Sequence, residues 1–295
     1  MSTSYRVDWR RRLTDRSMTV VVTGCFVAAM VPLVWLLGTV VTKGLARFDW
    51  TFFTSSMRGI VGDGGGALHA IWGTVLITAA TVAISVPIGV ATAIYLTEYG
   101  SGWLPRLIRF LVQVLTGLPS IVAGLFIYAL VVILAGPGAR SGVAGALALS
   151  LLMTPVVITS AEQMLRLVPT SVREAAIGLG AAKHAIVATI ILPHAASGIL
   201  AGVMLGVCRI IGETAPLLLV AGFTDAMNSS IFDSRMATLP VYIYSQWQNK
   251  GADLAAYDNR AWTAALVLIG LVLIFNLTSR LITHRFAPAA QGVGD

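Results

Sequence analysis

Residues Ala70–Thr97 read AIWGTVLITAATVAISVPIGVATAIYLT, twenty-eight positions without an Asp, Glu, Lys or Arg. As an α-helix this run extends about 42 Å, and about 20 apolar residues already cross the roughly 30 Å hydrocarbon core of a bilayer. Its apolar residues are continuous and lack the alternation of a barrel strand. Lipid offers no partner to an open backbone amide, so the run must be a membrane helix. Five further runs repeat the pattern: Met18–Thr42, Phe110–Ala135, Gly142–Ser160, Ala196–Phe223 and Ala261–Ile282. The sequence therefore predicts an all-α, polytopic membrane protein with six transmembrane helices. A basic tail over residues 1–17 precedes a membrane domain over 18–284, and a second tail covers 285–295.

Composition supports the same class. Hydrophobic residues make up 57% of the chain against 11% charged, with a mean hydropathy of +0.84. A soluble domain is about 25% charged, so this chain has too little polar surface to cover itself in water. The net charge of +7 has no basic stripe or aromatic-basic module behind it, which argues against nucleic acid as a partner. It follows membrane topology instead. With six spans, one side holds 12 Lys and Arg residues (Arg6, Arg10, Arg11, Arg12, Arg16, Arg106, Arg109, Arg166, Arg173, Lys183, Arg280, Arg285) and the other holds 7. Positive charge favours the inner side, so both termini are expected in the cytoplasm. The first run is longer than the 7–15 residues of a signal-peptide core and reads as a retained span.

No catalytic chemistry is visible. Cys25 and Cys208 lie inside apolar runs, and the four histidines are scattered, so neither a disulfide nor a metal site is expected. There is no nucleophile–base set and no Gly-x4-Gly-Lys-Ser/Thr pattern, so the chain is not expected to hold its own ATPase site. On the outer side, Leu45–Phe53 gathers Phe48, Trp50, Phe52 and Phe53, and Thr224–Arg260 contains Leu239 to Trp247. These aromatics read either as a belt at the headgroups or as a docking surface for an external partner. Gly62 and Gly64–Gly66 read as a flexible loop.

The loop over residues 161–195 is the most informative. It contains LVPTSVREAAIGLG over Leu167–Gly180 and, nine residues on, IILP over Ile190–Pro193. Ser171 and Glu174 have the spacing of a capping box. A short helix through Ala175 and Ala176 would follow, ended by Gly178 or Gly180 in the left-handed conformation. A second helix from Lys183 would return to the membrane until Pro193 interrupts it. The whole pattern, Glu-Ala-Ala, three residues, Gly, nine residues, Ile-x-Leu-Pro, resembles the EAA loop of prokaryotic ABC importer permeases. That resemblance implies the type I importer permease (MetI-like) fold. It also implies that Glu174, Ala175, Ala176 and Gly180 insert into a cleft on an ATPase subunit.

Three further stretches resemble the phosphate-specific permeases, PstA type: VLTGLPSIVAGLF over Val114–Phe126, RIIGETAPLLL over Arg209–Leu219, and TLPVYIY over Thr238–Tyr244. The resemblance implies an ATP-driven importer of inorganic phosphate, with no cofactor in this chain. Its implied partners are two copies of an ATPase subunit carrying ATP and Mg, a paralogous PstC-type permease, an external phosphate-binding protein and the lipid bilayer. The alternatives are the PstC-type subunit itself or a permease for sulfate or molybdate. An ion-coupled secondary transporter would need no ATPase loop.

Substrate chemistry points to Arg209 and Glu213, the only charged residues well inside a predicted span. Intramembrane charges usually face a cavity or each other. Spaced i,i+4, the two would share a helical face. Arg209 can grip an oxyanion through two parallel hydrogen bonds, and an ionised Glu213 can accept a hydrogen bond from a protonated phosphate, whereas it would repel sulfate, which has no proton to give. The competing reading is a mutual salt bridge that locks packing or forms a gate. Thr116, Gly117 and Ser120 are the second candidates, because Gly117 and Pro119 can break the third span and expose helix-start amides to an anion. A simple proline kink is the alternative. Ala215–Pro216 and Thr154–Pro155 repeat the idea more weakly, and Pro87 reads as a kink only.

Overall fold

The computed structural model describes residues 9–60, 62–251 and 253–286; their regular structure is all helical, with no strand among the described residues. Helix α1 (Trp9–Gly44) leads through one 3-10 turn and a short α2 (Trp50–Thr54) into α3 (Leu68–Ile94), which a π-helical turn extends to Tyr99. Next come α4 (Leu104–Thr116), α5 (Ser120–Ala135) and α6 (Gly142–Arg166). At the end of α6, α7 (Thr170–Gly178) and α8 (Lys183–Ile186) turn the chain back through a π turn into α9 (Leu192–Ile211). The remaining helices are α10 (Ala215–Val220), α11 (Leu239–Gln248) and α12 (Leu254–Phe286).

Helix α6 is the centre of the bundle. Of its apolar stretch 67% is buried, whereas the stretch in α1 is entirely exposed. Small residues make that burial possible, because lipid supplies no hydrophobic drive and helices must gain contact by close approach. Ala144, Gly145, Ala146 and Ala148 crowd the first half of α6. Gly89 of α3 rests on Val157, while Gly198 and Gly202 of α9 rest on Met164 and Ser160. Ile77, Leu149, Met153, Val157 and Ile210 fill the space between. Outward-facing Val20, Phe26, Phe126, Ile133 and Leu277 are exposed, as lipid-facing positions should be.

Two expected spans are broken. The run Phe110–Ala135 is two helices at 105° to each other, α4 beginning six residues earlier at Leu104. Pro119 has no amide to continue α4 and disfavours helical backbone at Leu118. The run Ala196–Phe223 stops at Ile211 and restarts at Ala215. Pro216 sits in the first turn of α10, where its missing amide costs nothing. By contrast, Pro32, Pro87 and Pro155 stay inside continuous helices.

The remaining boundaries shift too. Helix α1 already includes residues 9–17, and α6 extends to Arg166, inside the loop assigned to 161–195. Helix α12 starts at Leu254 and runs through Phe286, so of the 285–295 tail only 287–295 lies outside the described residues, as do residues 1–8.

The capping box at Ser171 does not form. Helix α7 starts at Thr170 behind Pro169, which makes no side-chain cap. Ser171 is thus already in the first turn, and Glu174 lies too far along to reach back. Gly180 does take the left-handed conformation, at φ 77°. Ala181 N–H donates to Ala176 O at 3.2 Å and Gly180 N–H to Ile177 O at 2.9 Å, a Schellman stop; Gly178 is not the left-handed residue.

Candidate functional site

The two breaks meet. A Cβ built on Gly124 would lie 2.7 Å from the Cα of Pro216, so only glycine lets α5 and α10 touch there. Gly124 is one turn into α5 and Pro216 is in the first turn of α10, so both contact points lie next to a helix start. At the first break, Thr116 donates its hydroxyl to Val112 O at 2.8 Å, and Gly117 caps α4 with its amide on Gln113 O at 3.2 Å. Pro119 gives α5 no side-chain cap, so the amides of Ser120 and Ile121 are helix-start donors without an intrahelical carbonyl. Thr116 and Gly117 are exposed, and Ser120 is half-buried. The broken-helix arrangement expected from Gly117 and Pro119 is therefore present, and Ala215–Pro216 supplies a second one.

Arg209 lies in the last turn of α9, and Glu213 lies in the break beyond it. The shared helical face expected from i,i+4 spacing is absent, because α9 ends at Ile211 between them. No ion pair joins them among the described residues; Glu213 is fixed by its own amide, which donates to Ile210 O at 3.1 Å. Arg209 is exposed and Glu213 half-exposed. A guanidinium held at a helix break, with no carboxylate against it, is free to meet an anion.

At the α7 end of the bundle, Glu174, Ala175 and Gly180 are exposed, whereas Ala176 is buried and anchors α7 to the core. Ile177 and Leu179 project beside them, 63% and 89% exposed, which makes this an apolar knob suited to a cleft on another protein. The sequence reading passed over Ile177 and Leu179; two bulky aliphatics flanking Gly178, just before the Gly180 stop, were the available signal.

Sequence reasoning also missed a polar framework behind the knob. Arg173 Nη2 donates to Leu165 O at 2.7 Å and faces Glu98 Oε1 at 3.0 Å, off the hydrogen-bond axis. Lys183 Nζ sits 5.0 Å from the ring centre of Tyr99, a cation–π contact. Both tie the α7–α8 segment to the π turn after α3. That turn is held in its own right: Arg109 of α4 donates to Leu96 O at 3.0 Å and to Glu162 Oε1 of α6 at 2.9 Å. Arg166 completes the set on the same carboxylate oxygen at 2.7 Å. A continuous polar chain thus runs from the knob to α4, the helix that ends at the first break.

At the opposite end, Arg260 is fully buried. It donates to Gln246 Oε1 at 2.9 Å and to Gly62 O at 2.7 Å, and it stacks 4.5 Å over Tyr257. The Gly62–Gly66 stretch is therefore fixed, not a free loop. The aromatics there divide into two groups. Phe52 and Tyr242 are buried in a core cluster, while Trp50 and Trp247 are 82% and 56% exposed. Burial pushes the Tyr242 hydroxyl well above its ordinary pKa, against the pull of Arg260, so it stays neutral. Phe48 and Tyr244 are also exposed, so these two with Trp50 and Trp247, and not Phe52 or Tyr242, are available for a headgroup belt or a partner.

The sequence profile described as binding-protein-dependent transport system inner membrane component matches residues 85–291. The phosphate transport system permease protein PstA of Mycobacterium leprae is 44% identical over 276 residues, 92% of this chain and 89% of that protein. The Yersinia pestis protein of the same name is 38% identical over 278 residues, 93% and 91% of the two chains. Among solved structures, a methionine ABC transporter, MetNI, in an inward-facing conformation aligns with a TM-score of 0.61 at 18% identity, covering 75% of this chain and 96% of that one. A bacterial alginate ABC transporter aligns at 0.64 and 12% identity, over 95% and 98%. At those identities the structural likeness establishes the fold alone.

Proposed function

The chain belongs to the family of binding-protein-dependent transport system inner membrane components, and from that premise we propose that it is the PstA-type permease of an ATP-driven inorganic phosphate importer. The observation that carries the reading is the 44% identity to a phosphate transport permease across nine-tenths of both chains. The α7 end faces the cytoplasm, with both termini on that side. There Glu174, Ala175, Ala176 and Gly180, with Ile177 and Leu179, dock on an ATPase subunit, one of two that hold the ATP and Mg. A PstC-type permease completes the translocation path, and a phosphate-binding protein delivers substrate from outside. Within the path, Arg209 draws the anion to the paired breaks at 116–120 and 212–214, and Glu213 accepts a hydrogen bond from the protonated phosphate.

Purification from native membranes in mild detergent, followed by reconstitution, tests this. Co-purification of an ATPase, a second permease and a phosphate-binding protein, with uptake of labelled phosphate that sulfate does not compete away, is expected. An intact complex that moved sulfate as readily as phosphate would defeat the substrate assignment.

A further inference from the structure

An open cleft of about 630 Å³ lies at the end of the bundle opposite α7, between the α5–α6 link and the segment after α10. Two arginines line it, Arg140 from the link and Arg235 from the later segment, with the hydroxyl residues Ser141, Thr224 and Ser234. Positive residues are disfavoured on the outer side of a membrane protein, so two together in a concavity call for a physical reason.

The arrangement is fixed by the backbone. Gly222 takes φ 73°, and a Cβ there would lie 2.9 Å from Arg140 Cδ and 3.2 Å from Arg235 Cγ. One glycine thus seats both arginine stems. Ser141 N–H donates to Val220 O at 3.1 Å and Met236 N–H to Ala221 O at 3.1 Å, tying the residue after each arginine to the end of α10. Asn228 braces the later segment, donating to Asp233 O at 2.7 Å and to Arg235 O at 3.0 Å. Ser234 is held at φ 52°, the one non-glycine residue with positive φ among the described residues. Such strain persists where the surroundings over-determine it.

The polar groups are arranged to donate. Among the described residues neither guanidinium has a carboxylate within 4.0 Å, although Asp225 and Asp233 belong to the same segment, and Arg140 Nε is buried without a partner. The oxygens of Ser141, Thr224 and Ser234 each accept a hydrogen bond, from Ala144 N–H, Ala226 N–H and Asn228 Nδ2 respectively. Their hydroxyl hydrogens stay free to point elsewhere. Two repelling cations and three free O–H donors around one cleft lack only an acceptor with several oxygens.

We propose that Arg140 and Arg235 form a receiving site for inorganic phosphate at the outer mouth of the path. The site rests on the reading above that this chain carries phosphate inward. It sits at the far ends of α5 and α10, the helices whose starts form the paired breaks. An anion released outside is captured here before it reaches Arg209, so less returns to the medium.

The test uses the assembled importer in proteoliposomes, with phosphate-loaded binding protein outside and ATP inside. Arg140→Gln combined with Arg235→Gln is expected to lower phosphate moved per ATP hydrolysed about tenfold, because charge-assisted hydrogen bonds are lost. Affinity for the binding protein and its stimulation of hydrolysis are expected to stay. Paired Lys substitutions should recover part of the uptake. The exposed Arg235→Gln alone, expected to cost severalfold, serves if the double variant fails to assemble. Unchanged uptake per ATP overturns the proposal. So does a loss of uptake that tracks an equal loss of binding-protein affinity, which would make the arginines contacts for an acidic protein surface. If the unsubstituted importer moves no phosphate, it is the transport reading that fails, whatever these variants do.

Discussion

Separating Glu98 from Arg173 should uncouple ATP hydrolysis from transport while the complex still assembles. The pair spans the joint between α7 and the π turn after α3, with side-chain exposures of 9% for Glu98 and 22% for Arg173. Two unit charges 4 Å apart attract by about 4 kcal/mol at an effective dielectric near 20. Desolvation of the two groups opposes this, and Arg173 Nη2 already gives its aligned hydrogen bond to Leu165 O, so the net coupling should be about 1–2 kcal/mol. That corresponds to roughly 5- to 30-fold in the equilibrium between a joined and a separated knob. Glu98→Gln, Arg173→Gln and the double variant form a double-mutant cycle. Each single variant should raise ATP hydrolysed per phosphate imported, and the double variant should be little worse than either. Arg109 and Glu162 hold the same π turn independently and should keep the bundle intact, which a thermal unfolding midpoint would register. Strictly additive effects, or an unchanged ATP-to-phosphate ratio in both singles, would refute the argument that this contact transmits movement.

Three further outcomes follow from the geometry. Gly180 has open space around its Cα but φ 77°, so Gly180→Asn should keep ATPase binding while Gly180→Val costs about 1–2 kcal/mol of loop stability and weakens co-purification. A Cβ on Gly73 would overlap the carbonyl of Ala237, so Gly73→Ala should destabilise the junction of α3 with the segment before α11 by about 1–3 kcal/mol, seen as a lower unfolding midpoint. Arg209→Gln should abolish phosphate uptake in an assembled complex, with little recovery in Arg209→Lys; full activity in the swapped pair Arg209→Glu, Glu213→Arg would show that the two act only as a salt bridge.

The class and the helix–turn–helix shape of the α7–α8 loop were legible in the sequence for one reason: both are written in local pattern. An uncharged run of membrane length admits one backbone solution, and the Glu174–Gly180 segment carries its stop in a glycine that needs positive φ. The breaks were only half legible, because proline does not act alone. Pro87 and Pro155 have the same missing amide as Pro119 and Pro216, yet their helices continue. What differs is the partner: the start of α10 is pinned against Gly124 of α5, a contact between residues 92 positions apart that no local pattern records. The same holds for charge. Arg209 and Glu213 read as neighbours on one face only if the helix continues, and the break that separates them removes that face. Arg173 with Glu98, and Arg140 with Arg235, read as isolated loop charges until the fold brings each pair together. The polar groups that best fit transport here are therefore the long-range ones. The contact of Gly124 with Pro216 brings the two broken spans together, and the break after α9 leaves Arg209 in its last turn with no ion pair to Glu213 among the described residues. An anion that met this guanidinium would have no neutralising partner to displace, which is what the Arg209 variants test.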